Sequence, residues 1–203
     1  MSKFLQNLND NALAVVDIET TGFKVGYHDI VQIAVIVLNT DLEASRQHIP
    51  FLMDLKPKRP ENECDTEAMR ITRVRYCDIV TRGIDAYTAA DRFVEWFERL
   101  NLLPGRKICP LACNWPFDRE FIKQWLGPST FEMIFHPHYR DVMSAAVFLN
   151  DRAGWRGEQF PYPKANLSYL CTQLRVERTK AHEALDDARA TAEIYKKIIQ
   201  QSI

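Results

Sequence analysis

Two short apolar runs near the start of the chain constrain its fold more than any other feature. The first extends from Leu13 to Ile18, and the second, which is rich in valine and isoleucine, extends from Ile30 to Leu38. Runs of this length and composition are typical of buried β-strands. A third strand is predicted from His48 to Leu55. The first part of the chain is therefore expected to form a sheet.

Helical spacing of apolar residues begins after these strands. It predicts one helix around Ala90 to Phe97, a second around Phe117 to Trp125 and a long C-terminal helix around Leu185 to Ile199. The segment Arg106 to Cys113 is predicted as a further strand, and Pro110 within it favours an edge position or a bulge. We therefore predict an α/β fold with a mixed central β-sheet flanked by α-helices.

Size and charge limit the classes of function. With 203 residues, 46% of them hydrophobic, we predict a single domain over residues 1–203 with its core at about 12–200. The chain has 26 basic and 27 acidic residues, so no overall basic field attracts a polyanion and nucleic-acid binding must be local. A signal-peptide pattern and an apolar stretch of about 18 residues are both lacking, which predicts a cytoplasmic protein with no membrane partner.

One irregular stretch, Asn150 to Lys164, is predicted as a surface loop. It contains three aromatic residues, Trp155, Phe160 and Tyr162. These side chains either cap an ordinary connector or form a lid that stacks on bases. The same loop is a candidate contact between two copies of the chain.

Two acids stand at the end of the first predicted strand, in the sequence V-V-D-I-E-T-T-G. Because alternate residues of a strand share a face, Asp17 and Glu19 should point the same way. Two carboxylates beside a core need cations, protonation or solvent, and hard divalent ions such as Mg²⁺ and Mn²⁺ prefer all-oxygen sites. The alternative interpretation is a pair of solvated turn residues.

Further acids lie at two predicted helix starts. Asp118 falls in the first turn of one helix, and the sequence H-E-A-L-D-D-A opens the C-terminal helix. At about 100° per residue, Asp187 lies about 110° from the centre of the apolar stripe and Asp186 about 150°, so Asp187 flanks the core and Asp186 faces water. His182 can meet Asp187 only from the loop or the first turn. Taken singly, each residue is also compatible with ordinary helix capping.

Together the three segments resemble a known family. The patterns D-x-E-T-T-G at Asp17, N-x-x-F-D at Asn114 and H-x-x-x-x-D-A at His182 resemble the DEDDh, or DnaQ-like, 3′→5′ exonucleases of the ribonuclease H-like superfamily. That family includes proofreading subunits of DNA polymerases, RNase T and oligoribonuclease. The resemblance covers almost the whole chain. Its main departure is Cys113, where many relatives have histidine.

The resemblance implies a ribonuclease H-like fold and a metal-dependent nuclease site. Four carboxylates would hold two divalent ions, Mg²⁺ or Mn²⁺, which clamp the attacking and leaving oxygens in two-metal chemistry. His182 would act as the general base, since histidine can accept a proton near neutral pH. The expected activity is release of nucleoside 5′-monophosphates from the 3′ end of single-stranded nucleic acid, with DNA slightly favoured over RNA. The four metal ligands implied are Asp17, Glu19, Asp118 and Asp187.

The resemblance also implies substrate contacts. Thr20, Thr21 and Gly22 are expected to line the terminal nucleotide. Phe23 either stacks on the last base or is a hydrophobic turn residue, and Asn114 is expected to hydrogen-bond the substrate.

Two basic clusters are candidates for neutralising phosphates behind the scissile bond. They are Lys56 to Arg59 and the group Arg70, Arg73 and Arg75. Solvated surface is the alternative interpretation, because nothing in the sequence brings either cluster to the acids.

Alternative functions and partners remain open at this point. The same fold could serve as a catalytically silent module that binds nucleic acid or docks a partner, although such a role does not require all five acid and histidine residues. An endonuclease or a hydrolase of small nucleotides could also use the site. The resemblance leaves open a homodimer and a separate polymerase or other replication or repair partner.

Overall fold

A five-stranded sheet forms the centre of the computed structural model, which describes residues 8–72, 75–179 and 181–201. The strands lie in the order β3-β2-β1-β4-β5. β2 runs antiparallel to β1 and β3, whereas β4 runs parallel to β1 and β5, so the mixed sheet predicted from the sequence is confirmed. The strand bounds are β1 Ala12–Thr20, β2 Ile30–Val37, β3 Phe51–Asp54, β4 Ile108–Ala112 and β5 Arg140–Asp141.

Helices cover both faces of this sheet. The bounds within the described residues are α1 Thr66–Thr72, α2 Tyr76–Arg82, α3 Ala86–Arg99, α4 Trp115–Leu126, α5 Pro128–Ile134, α6 Val142–Trp155, α7 Leu167–Leu174 and α8 Ala184–Gln200. A short 3₁₀ turn at Glu61–Glu63 precedes α1. The three helices predicted from apolar spacing correspond to α3, α4 and α8, so those predictions are confirmed. The apolar stripe predicted for α8 ended at Ile199, but the structure buries Ile198 at this end of the helix and leaves Ile199 45% exposed.

The alternation of side chains along β1 creates two apolar cores. Ala14 and Val16 belong to the core that α3, α4 and α5 cover, whereas Leu13 and Val15 belong to the core that α6, α7 and α8 cover. Residues 17 and 19 continue the second series. The strand therefore directs its two acids toward the side of the sheet on which α8 lies.

The position predicted for Pro110 is wrong. β4 lies between β1 and β5 rather than at an edge, and Pro110 is paired with Ala14 of β1. A proline is tolerated here because the hydrogen-bond ladder between β4 and β5 is incomplete. β5 pairs only with Leu111 and Ala112, and a separate bridge joins Ile108 to Phe135, so Pro110 falls in the gap where a missing N–H removes no ladder bond.

The segment predicted as a loop from Asn150 to Lys164 is partly helical, because α6 continues to Trp155. Tyr162 is buried, and its backbone N–H and C=O bond with the side chain of Asn150 at 2.9 and 2.7 Å. Trp155 and Phe160 are 93% and 58% exposed. Tyr162 thus fixes the connection between α6 and α7, whereas Trp155 and Phe160 face solvent.

No helix in the described ranges combines the length and the apolar character that crossing a membrane requires.

Candidate functional site

β1 carries two acids to one side of the sheet. Across the antiparallel ladder Asp17 is paired with Ala34 and Glu19 with Gln32, and a register shift follows between Glu19 and Thr20. Glu19 is buried, with 7% of its surface exposed, and Asp17 is partly exposed. Because the shift ends the regular ladder directly after Glu19, both carboxyl groups lie where the strand opens into a loop.

The third acid is positioned by the junction between β4 and α4. Asn114 adopts the left-handed conformation, with φ of 74°, and turns the chain into the helix. The Asp141 carboxylate accepts hydrogen bonds from the backbone N–H groups of Trp115 at 2.7 Å and Ser144 at 2.8 Å. It therefore ties the starts of α4 and α6 together. Asp118, which lies in the first turn of α4, is 4% exposed.

The start of α8 brings the histidine and the fourth acid to the same place. The backbone N–H of Ala184 donates to Gln32 Oε1 at 2.7 Å, which fixes the helix to the strand position beside Glu19. His182 lies before the helix and has φ of 68°, so the chain turns back there. Asp187, in the first turn of the helix, is 4% exposed.

A pocket of about 280 Å³ contains these side chains. Glu19, His182 and Asp187 each offer one ligand atom, and these atoms all lie within 4.8 Å of one another. Two distant segments, β1 and the start of α8, thus meet in a set of oxygen and nitrogen donors that fits a divalent cation. The residues that line the pocket are Asp17, Ile18, Glu19, Cys113, Phe117, Asp118, Asn166, Leu167, Ser168, Arg178, His182 and Asp187.

Crowding of the carboxyl groups changes their protonation. Burial, with repulsion from Asp118, Glu19 and Asp187, raises the pKa of Asp17 well above its usual range. Burial and the charge of Asp187 raise the pKa of Glu19 to about 8, although Arg178 opposes the shift. Burial, followed by Asp141 and Glu19, also raises the pKa of Asp118. A cation in the pocket would remove the need for these protons.

The pocket also includes a thiol. Burial, followed by the charges of Asp17 and Asp141, raises the pKa of Cys113 far above its ordinary value. The thiol is therefore protonated and unreactive at neutral pH. The residue that departs from the histidine of many relatives adds no charge to the site.

Arg178, which sequence patterns did not single out, lines the pocket and pairs with one of its acids. Its Nε donates to Asp187 Oδ1 at 2.5 Å, its Nη2 donates to Asp187 Oδ2, and its Nη1 donates to Ser168 Oγ at 2.9 Å. The two paired side chains are only 8% and 5% exposed. Such a bidentate, buried ion pair is strong and geometrically specific. One signal was available: four acids in one pocket require a cation, and Arg178 precedes His182 by four residues.

The threonines expected at the terminal nucleotide support the turn that follows β1. Thr20 Oγ1 donates to the carbonyl of Gly22 at 2.7 Å, and Thr21 Oγ1 accepts from the backbone N–H of Asp29 at 3.0 Å. A Cβ atom on Gly22 would lie 2.4 Å from the ring of His28, so the close approach that requires glycine is to this side chain. None of these residues belongs to the pocket lining.

The other two expected substrate residues differ in position. Phe23 is 56% exposed, and its ring centroid lies 6.5 Å from that of Phe117, which lines the pocket. Asn114 is exposed at the left-handed turn before α4 and lies outside the lining. Phe23 is therefore at the rim of the pocket.

One of the two basic clusters forms local ion pairs. Arg70 pairs with Glu67 at 2.6 Å, and Arg75 pairs with Asp78 at 2.9 Å. Arg73, the third member, lies outside the described residues.

Solved structures of known nucleases have the same fold. Exonuclease I matches with a TM-score of 0.73 and 19% identity, over 95% of this chain and 41% of that one. E. coli Exonuclease I in complex with a dT13 oligonucleotide matches with a TM-score of 0.72 and 20% identity, over 94% of this chain and 41% of that one. Cell-death related nuclease 4 matches with a TM-score of 0.69 and 16% identity, over 93% of this chain and 64% of that one. These neighbours show a ribonuclease H-like α/β fold, as the resemblance implied.

Sequence comparison identifies the family. The DNA polymerase III PolC-type of Staphylococcus epidermidis is 26% identical, in an alignment that covers 97% of this chain and 12% of the polymerase. That of Oceanobacillus iheyensis is 24% identical, over 98% of this chain and 12% of the polymerase. This chain thus spans a small part of the length of these relatives. The family model for exonucleases matches residues 14–195. The chain belongs to this exonuclease family, the DnaQ-like 3′→5′ exonucleases of the ribonuclease H-like superfamily.

Proposed function

We propose that this chain removes nucleoside 5′-monophosphates from the 3′ end of single-stranded nucleic acid, with DNA favoured over RNA, in a reaction that depends on two divalent ions, Mg²⁺ or Mn²⁺. One observation carries the proposal. Glu19, His182 and Asp187 present ligand atoms within 4.8 Å of one another, in a pocket that also contains Asp17 and Asp118. Exonucleases of this family generally depend on divalent metal.

The four carboxylates would hold the ions. Burial, together with repulsion among the carboxylates, raises the pKa values of Asp17 and Glu19, and bound cations would offset both costs. When bound, the ions would supply positive charge to the reacting phosphate group and its leaving oxygen. Asp118 would complete the ligand set from α4.

His182 would accept the proton of the attacking water. Water oxygen bonds to phosphorus, the bond from phosphorus to the 3′ oxygen breaks, and the displaced 3′ oxygen takes a proton from solvent. His182 lies in a loop at the rim of α8 and is partly exposed, so its ring can pass the proton on to bulk water.

Substrate positioning would involve the turn after β1. Phe23, exposed at the rim and in contact with Phe117, would stack on the terminal base. The buried Thr20, Thr21 and Gly22 would contribute backbone rather than side-chain contacts, because the two threonine hydroxyls already bond within the turn. Asn114 would hydrogen-bond the substrate from the start of α4.

A polymerase is the partner that we propose for this activity. The support is that the matched segment forms 12% of PolC-type DNA polymerases. The proposal of single-stranded DNA is supported by the fold neighbour that is in complex with a dT13 oligonucleotide.

The activity is tested with matched 5′-labelled DNA and RNA strands, a circular strand and either Mg²⁺ or Mn²⁺. We expect a ladder that shortens from the 3′ end, intact circles, and no products with EDTA or with the Asp17→Asn variant. Cleavage of circles would indicate an endonuclease instead. Binding of linear strands without degradation would favour the silent module.

The role of His182 has its own test. His182→Ala should lower kcat by about 10²- to 10⁴-fold, the usual contribution of a general base. The dissociation constant for Mn²⁺, measured by calorimetry, should change little if the histidine transfers protons. Full activity in this variant would remove His182 as the base, and a large drop in Mn²⁺ affinity would make it a ligand.

A further inference from the structure

We infer that a basic and aromatic surface beside the pocket binds the 5′-ward continuation of the substrate strand. The inference rests on the proposed function and concerns how that site holds a longer strand. This surface, called here the basic shoulder, is formed by the connection between β1 and β2, the segment after β3 and the start of α3. Its members are Lys24, Tyr27, Lys56, Lys58, Arg59 and Tyr87.

Hydrogen bonds attach the shoulder to the turn that follows β1. Asp29 bonds through its backbone to Thr21, with the Thr21 N–H to Asp29 C=O distance at 2.9 Å. Its carboxylate accepts from the backbone N–H groups of Lys58 at 2.9 Å and Arg59 at 3.3 Å. The basic segment that follows β3 is thereby attached to the loop that continues from Glu19.

A second attachment reaches the helix of Asp118. The backbone N–H of Gly26 donates to Gln124 Oε1 on α4 at 2.6 Å, and Arg59 Nε donates to the carbonyl of Tyr27 at 2.5 Å. Phe23, which contacts Phe117 of the pocket lining, directly precedes Lys24. Phe23 at the pocket rim is thus joined along the chain to the first residue of the shoulder.

The aromatic rings of the shoulder carry cations on their faces. The Arg59 guanidinium lies 3.9 Å from the centroid of Tyr27, and Lys24 Nζ lies 5.6 Å from it. Lys58 Nζ lies 5.1 Å from the centroid of Tyr87, which is 74% exposed. A groove of about 140 Å³ is lined by His28, Lys56, Lys58, Tyr87 and Gln124, among others. Positive charges beside the exposed ring of Tyr87 suit phosphates and a base of a single strand.

The acids nearby engage Arg59 and backbone N–H groups rather than the lysines of the shoulder. Asp29 accepts from two backbone N–H groups, Asp85 accepts from the N–H groups at the start of α3, and Glu63 pairs with Arg59 at 2.8 Å. In the parts of the chain that the structure describes, the ammonium groups of Lys24, Lys56 and Lys58 form no ion pair. These lysines are exposed and available to phosphates.

The opposite end of the sheet provides a matched control. Arg46 is exposed beside the start of β1 and the end of β2, far along the strand from Glu19. Arg46→Gln removes one positive charge from the same molecule without touching the shoulder. Compared with Lys58→Gln alone, which removes the same charge, it separates local contact from overall charge.

The test measures binding of a labelled single strand to the Asp17→Asn protein by fluorescence anisotropy, over a range of salt concentrations. Adding Lys24→Gln and Lys58→Gln should weaken binding about tenfold or more near physiological salt. It should also reduce the slope of log affinity against log salt by about 0.7 for each phosphate that the protein no longer neutralises. Tyr87→Ala should weaken binding about fivefold or more with an unchanged slope, because stacking carries no charge. Arg46→Gln should resemble the parent.

A turnover measurement keeps this inference separate from the proposed function. With Asp17 restored, the ratio of kcat/KM for a long strand to that for a dinucleotide should fall in the double lysine variant. If the strand is shortened but the double variant matches Arg46→Gln in binding and in this ratio, the shoulder inference is wrong and the function stands. If the wild-type protein neither shortens nor binds any strand, the proposed function itself fails. Equal reductions in affinity for duplex and single strand would overturn the single-strand assignment.

Discussion

The pocket and the basic shoulder are adjacent, yet they handle charge in opposite ways. In the pocket, carboxyl groups are buried together, and the pKa values of Asp17 and Glu19 rise as a result. On the shoulder, Lys24 and Lys58 are exposed over aromatic rings. Buried charges respond strongly to pH and to bound cations, whereas exposed charges are screened by salt within about 10 Å. The two regions should therefore be separable by experiment.

Activity gives the largest expected difference between the regions. Asp17→Asn removes a carboxylate that we propose as a metal ligand but preserves the shape of the side chain, so kcat should fall on the order of 10³-fold or more. The thermal midpoint in EDTA should not fall, because a neutral side chain replaces a carboxyl that burial and three other acids disfavour as an anion. A Lys58→Gln variant assayed in parallel should retain most of its kcat. Equal reductions of kcat in the two variants would remove the distinction.

The acids of the pocket should differ in how much their replacement lowers the stability of the fold. The expectation that crowded acids can be removed without cost applies to Asp17 but not to Asp187, whose carboxylate holds the buried guanidinium of Arg178. Asp187→Asn leaves that cation without its partner and should cost about 3 kcal/mol, the usual result of breaking a buried ion pair. Thermal unfolding in EDTA measures the change.

Arg178→Met is the reciprocal variant. It leaves Asp187 without its counter-ion, so Mn²⁺ should raise the thermal midpoint more than in the wild-type protein. In Asp187→Asn the metal-induced rise should instead shrink, because the variant lacks a carboxylate that we propose as a metal ligand. If Asp187→Asn were as stable as Asp17→Asn, the ion pair would have no structural weight.

The dependence of stability on pH should also distinguish the regions. Glu19 in the folded protein keeps its proton up to about pH 8, whereas its ordinary pKa is 4.5. The folded state thus binds more protons than the unfolded chain between these values, so stability in EDTA should fall as pH rises through this window and level off above it. Asp17 and Asp118 act in the same direction.

Saturating Mn²⁺ should oppose this fall, because it replaces the protons. Thermal midpoints from about pH 5 to about pH 8, with EDTA or Mn²⁺, check the prediction. Glu19→Gln should flatten the EDTA curve, while Lys58→Gln should leave it unchanged. An EDTA curve that rises over this range would contradict the protonated pocket.

Much of the pocket was predictable because its residues follow simple periodicities. The two-residue repeat of β1 placed Asp17 and Glu19 on one face, and the helical repeat of α8 placed Asp187 toward the core, where it is 4% exposed. The same repeat put Asp186 in water, but Asp186 accepts from Thr179 Oγ1 at 2.7 Å and its side chain is only 16% exposed. The segment before α8 has no regular period, so the contact with Thr179 could not be read from spacing.

The features that the sequence did not predict belong to segments with no regular spacing of apolar residues. Arg178 lies between α7 and α8, and its partner is known only once the chain folds back onto Ser168 and Asp187. The environment of Pro110 likewise depends on β5, a two-residue strand too short to give a sequence signal. The Lys56 to Arg59 segment could not be placed for the same reason, since only the hydrogen bonds to Asp29 bring it to the turn.

The smallest expected effect tests whether the shoulder needs fixed geometry or only positive charge. Asp29→Ala removes the acceptor of two backbone hydrogen bonds at a partly exposed position, so it should cost about 1 kcal/mol and lower the thermal midpoint by about 2–4 °C. All the lysines remain, so overall charge on the shoulder rises. If affinity for a single strand nevertheless falls, the position of Lys58 relative to the pocket is what matters, because charge alone would strengthen binding. Unchanged or tighter binding would mean that the shoulder acts as a diffuse cationic field, and its geometry would then carry no part of the recognition.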